Sequence, residues 1–294
     1  MKINFLIIPF LALSIAFVSC NGNSENQKNQ GLGDGLDSTA SADTFAVDED
    51  NDVAYNLPSA LQVAFVFKKS GAGFLQDLPN NKNSYSKYNT SNYKRATNFG
   101  IYSADLAYCL FNKKYQDSKD YLKSCREVGS FLGLNQVFES DNMAQRFDKN
   151  IASEDSLIKI ISNVQLKTDA MFQQNKQKHI TALAFAGAWT ESVYIAAEVY
   201  AKEKNKKVLA SLMEQLFLSE TIIKALKVYQ TSEPELPSLI SSIEKINLQI
   251  NSIDSVKASI DKDEELDFGA ISITDNELKN IVEIVKTLRT DMIN

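Results

Sequence analysis

Two stretches of this chain are apolar around nearly their whole circumference, and each carries one carboxylate in its middle. NFGIYSADLAYCLF runs from Asn98 to Phe111 with Asp105 inside it; AFAGAWTESVYIAA runs from Ala184 to Ala197 with Glu191 inside it. Helices this hydrophobic belong in a core, so the rest of the chain must supply elements that cover them. An acid removed from water is costly unless it is hydrogen-bonded or paired. The partners of Asp105 and Glu191 therefore decide how these helices pack.

On a helix, Asp105 shares its face with Ile101, Tyr102, Tyr108 and Cys109, and Glu191 shares its face with Gly187, Ala188, Tyr194 and Ile195. One reading is a carboxylate–tyrosine network that fixes helix orientation, with the hydroxyls of Tyr102, Tyr108 and Tyr194 as donors. The other is a groove lined by Tyr102, Asp105, Trp189, Glu191 and Tyr194. There the two acids would be a weak candidate pair for general acid–base work such as glycoside hydrolysis. The structural network is the leading expectation, and no residue is assigned as catalytic.

Gly and Pro are scarce, at 11 and 5 of 294 residues, which favours helix over turn-rich β architecture. The expectation is an all-α multi-helix bundle or array of about eight to nine helices. The first, LPSALQVAFVFKKSG, opens with Pro58 and ends on Gly71 as a C-cap. A polar loop at 75–92 comes next. Helices are expected at 92–113, 117–133, 140–150, 154–174, 177–203, 205–230, 235–253 and 274–292. Thr274 and Glu277 have the spacing of a capping box at the start of the last one.

The two acid-bearing stretches also align without gaps at an offset of 87 residues. Gly100 falls on Gly187, Tyr102 on Trp189, Ser103 on Thr190, Leu122 on Leu209 and Glu127 on Glu214. Residues 57–294 are therefore read as one helical domain built from two related helical hairpins, at about 92–133 and 179–220. Under that offset Asp105 falls on Ser192 and Glu191 on Ala104, so the acids are not repeat equivalents.

The N-terminus is an address. Lys2 precedes an apolar run from Ile3 to Val18 that is too short for a membrane span. Its ending, Phe17-Val18-Ser19-Cys20, resembles the lipobox of bacterial lipoproteins. That resemblance implies a signal peptide over 1–19, lipid attachment to the Cys20 thiol, and a membrane partner reached through that lipid. Residues 20–56, rich in Asn, Gly, Ser and Asp, read as a tether unable to bury enough surface to order. Asn21 stands where some bacteria use Asp for inner-membrane retention. The implied address is thus the cell envelope at the outer membrane, with the periplasmic or surface face left open. The lipobox, the two acid-bearing helices and the ISITDNELKNIVEIVKTLR ending are similar to uncharacterised all-helical lipoproteins of Bacteroidota. That likeness carries no activity, cofactor or site residue.

Other chemistries are poorly served. A net charge of −6 without a basic cluster argues against nucleic acid. His179 is the only histidine, so a ferritin-like metal centre is excluded and His179 reads as solvated. The acidic runs from Asp48 and from Asp261 lack the Gly and Glu that an EF-hand needs, so no metal is assigned. Nothing in the sequence calls for a cofactor. Cys109 and Cys125 are either a disulfide or two packed thiols, depending on where their hairpin turns. The expected function is a non-enzymatic binding or scaffold module for an envelope protein or small ligand. An envelope hydrolase using Asp105 and Glu191 in a cleft between the halves is the alternative.

Overall fold

The computed structural model describes residues 68–261 and 267–294. The expected signal peptide, Cys20, the tether and most of the expected helix at 57–71 lie outside them. The described residues form helices and loops with no strand, so the fold class is all-α. Helices α1 (Asn92–Phe111) and α2 (Tyr115–Phe131) make a hairpin, followed by α3 (Asn135–Glu139), α4 (Met143–Lys149) and α5 (Glu154–Gln174). A second hairpin, α6 (Lys178–Glu203) and α7 (Lys206–Phe217), leads into α8 (Ser219–Lys227), α9 (Leu236–Ser252), α10 (Asp254–Asp261) and α11 (Asp275–Ile293).

Local chemistry sets these boundaries. Ser91 Oγ accepts from Lys94 N at the start of α1, and Ser153 Oγ accepts from Ser156 N at the start of α5. Asn205 caps α7 through Lys207 N. Thr274 and Glu277 form the reciprocal capping box expected from their spacing. Gly71, at the end of the helix that covers 68–70, has φ +67°, a left-handed conformation natural to a C-cap glycine. Two expectations change. The span 205–230 is two helices rather than one, broken at Leu218. Residues 254–261, which follow the helix expected at 235–253 and had no helix assigned, form α10.

Apolar circumference places α1 and α6 at the centre, and their mutual interface is the largest among the described helices. By length and composition α6 could cross a membrane, but 83% of its most apolar window is buried against other helices. It is a core helix. Close approach is achieved by two glycines. A Cβ on Gly100 would lie 1.8 Å from Ala184 O, and one on Gly187 would lie 2.0 Å from Thr97 O. No side chain fits at either point, so backbone rests on backbone. The 87-residue shift exchanges these two contacts: Gly100 becomes Gly187 and Thr97 becomes Ala184. The hairpin turns do not follow the same shift. The first is at Asn112–Lys114 and the second at Lys204–Asn205, about one helical turn later than the ungapped alignment requires.

Candidate functional site

Asp105 on α1 and Glu191 on α6 meet at this crossing, both fully buried. Glu191 is held by Arg289 of α11 in a two-pronged ion pair. Nε donates to Oε2 at 2.5 Å and Nη2 donates to Oε1 at 2.8 Å. Arg289 Nη2 also donates to Leu78 O at 3.1 Å, and its guanidinium lies 4.3 Å from the centre of the Tyr194 ring. Asp105 Oδ2 accepts from Asn80 N at 3.1 Å, while no donor among the described residues reaches Oδ1.

Protonation completes the set. Burial raises the Asp105 pKa well above the ordinary carboxylate value, and the neighbouring Glu191 raises it further. Arg289 and the Asn80 N–H pull the other way and do not prevail. The Glu191 side chain is within hydrogen-bonding reach, so a protonated Asp105 can donate to it and one proton can serve both carboxyls. For Arg289, burial opposes the charged form, but Glu191 outweighs it and the pKa is raised. One cation, one anion and one neutral acid leave the site without net charge.

A helix-free strap closes the site from above. Residues 73–82 cross the α1–α2 hairpin, and side chains meet their backbone groups one by one. Tyr108 OH donates to Gly73 O and accepts from Leu75 N, both at 2.8 Å. Tyr121 OH donates to Asn80 O at 2.7 Å, Tyr102 OH donates to Asn81 O at 2.8 Å, and Ser124 Oγ donates to Lys82 O at 2.7 Å. Lys82 then reaches Asp117 and Asp120 on α2.

This corrects the expected tyrosine network. Tyr102 and Tyr108 do not donate to the carboxyls; their hydroxyls extend past the acids to the strap. Tyr194 stacks on Arg289. Trp189 is also no groove wall: it is buried and its Nε1 donates to Gln215 O at 2.7 Å on α7. Of the five expected groove residues, only Tyr194 is partly exposed. They line a packed interior.

The cysteines are resolved in favour of two thiols. Cys109 and Cys125 are both buried and free, so no disulfide joins them. The turn at Asn112–Lys114 staggers them by roughly 12 Å along the hairpin axis. Cys125 Sγ instead lies 3.8 Å from Ser103 Oγ. His179 is half-buried rather than fully solvated, 3.7 Å from Glu233. Among the described residues no group of three or more His, Cys, Asp or Glu side chains could hold a metal ion.

Sequence reasoning missed Arg289, Asn80 and Tyr121. Arg289 did leave a signal, since only four of the chain's 31 cations are arginine and it is the only one after position 146. Arginine's planar fork suits a buried carboxylate better than lysine's ammonium does. Asn80 had no signal, because it contributes a backbone N–H. Comparison of the chain with protein-family models, with curated proteins and with solved structures returned no match.

Proposed function

We propose that this chain is an envelope lipoprotein, held at the outer membrane by lipid on Cys20, whose helical domain is a binding or scaffold module and not an enzyme. The observation that carries the non-enzymatic half is the closure of the acid pair. Asp105 and Glu191 are both fully buried, and Glu191 is neutralised by Arg289. A hydrolase needs its acid and base within reach of substrate and water. The envelope half is supported by the lipobox-like Phe17-Val18-Ser19-Cys20 and the polar stretch that follows it. The net charge of −6 favours a protein or small-molecule partner over nucleic acid.

The test is Cys20→Ala. Membrane fractionation should find the variant in the soluble envelope fraction with its helical circular dichroism unchanged. Continued membrane association of the folded variant would overturn the lipid-anchor reading.

A further inference from the structure

At the α1–α6 crossing, a single proton decides whether every buried carboxyl oxygen has a partner. With Asp105 protonated, Oδ1–H donates to Glu191, Oδ2 accepts from Asn80 N, and both Glu191 oxygens accept from Arg289. Without that proton Asp105 Oδ1 has no donor, and two carboxylates face one guanidinium. The closed site then carries one net negative charge.

Among the described residues no other group facing the pair offsets it. From α1 come Tyr102, Tyr108 and Cys109, from α2 Tyr121 and Cys125, from α6 Tyr194, and from the turn at 85–88 Tyr88. Burial favours the neutral, protonated form of all seven. Arg289 on α11 is already shared with Glu191 on α6, and Lys82 on the strap is committed to Asp117 and Asp120. The added charge can be relieved only by water.

The route for water is set by what can move. Helices α1 and α6 touch through backbone at Gly100 and Gly187, so they cannot part without losing the core. The strap has no helix or ladder of its own. Two of the groups that hold it, Asp105 through Asn80 N and Arg289 through Leu78 O, belong to the proton-sharing set. We propose that residues 73–82 form a proton-gated latch, closed over the crossing while Asp105 and Glu191 share a proton and opening to admit water when that proton leaves to solvent.

The sign follows from the closed state binding the proton more tightly than the open state, where Asp105 is hydrated like an ordinary carboxyl. Closure takes up one proton. Each pH unit above the ordinary carboxylate range therefore shifts the balance toward the open latch by about tenfold, until the closed form itself titrates.

Amide hydrogen exchange on the full chain between pH 6 and 9 reads this directly, with rates corrected for the intrinsic pH dependence of exchange. The Leu75 and Asn80 amides should lose protection as pH rises, by up to about tenfold per pH unit, while remaining far less protected than α6 amides such as Val193. In Asp105→Asn the side chain can accept from Asn80 N and donate to Glu191 at every pH, so strap protection should be flat. Glu191→Gln also removes one ionisable carboxyl, and should flatten the profile if the first variant fails to fold. A wild-type strap whose corrected protection is independent of pH would overturn the latch. So would strap amides as protected as those of α6, or a folded variant with the wild-type slope.

Discussion

A carboxyl group at the centre of a protein must be neutral or paired, and the two acids here divide those solutions between them. Glu191 is paired with Arg289, while burial, with Glu191 beside it, raises the Asp105 pKa and favours its neutral form. Asp105→Asn reproduces the protonated acid's hydrogen bonds with no ionisable group. Because the folded-state pKa of Asp105 is raised, its contribution to stability is greatest at acid pH and is lost as pH rises above the unfolded carboxylate value near 3.8. The Asn variant should therefore be more stable than wild type at neutral pH. Its advantage in denaturant unfolding should widen by up to about 1.4 kcal/mol per pH unit between pH 5 and 8. Arg289→Met acts in the opposite sense. It leaves the fully buried Glu191 without a cation and should cost about 3–5 kcal/mol in the same measurement. The sequence made Asp105 and Glu191 conspicuous because charged residues stand out in apolar helices. It hid Arg289, 98 residues from Glu191, because long-range pairing leaves no local pattern.

Helix positions were legible wherever a cap and an apolar period agreed. The expected 154–174 is α5 to the residue, with Ser153 as its cap, and the last helix begins at its capping box. The single helix expected at 205–230 is divided at Leu218, a break not legible in the sequence because the apolar period continues through it. The expected 140–150 covers α4, whereas α3 falls between two expected helices, because five residues are too few to establish a period. What periodicity cannot convey is how closely two helices approach, and here glycine sets that distance. Gly100→Ala and Gly187→Ala each insert a methyl into backbone of the opposite helix. Each should lower stability by about 1–3 kcal/mol in chemical denaturation. The double variant should cost less than the sum, because once the helices are forced apart the second methyl finds room.

Across the whole molecule, the described helices share one extended hydrophobic core, which runs from Ala72 beside the strap to Met292 near the C-terminus. Burial keeps both cysteines protonated, Cys125 with a pKa pushed up to about 12 and Cys109 raised still further. At pH 8 a thiol reagent should therefore leave Cys109 and Cys125 unmodified in the native protein and modify both once denaturant is added, as mass spectrometry of the two peptides will show. Helix α11 reaches back to the N-terminal part of the described fold: Arg289 bonds Leu78, and Asn98 Nδ2 donates to Met292 O at 2.8 Å, across 211 and 194 residues respectively. This connectivity imposes an order in time. While the chain is being synthesised N-terminus first, Glu191 emerges 98 residues before the guanidinium that neutralises it. The buried pair on the central helices is therefore completed only once α11 has been made. A protein so arranged ties the closing of its centre to an element made long after the helices that form it.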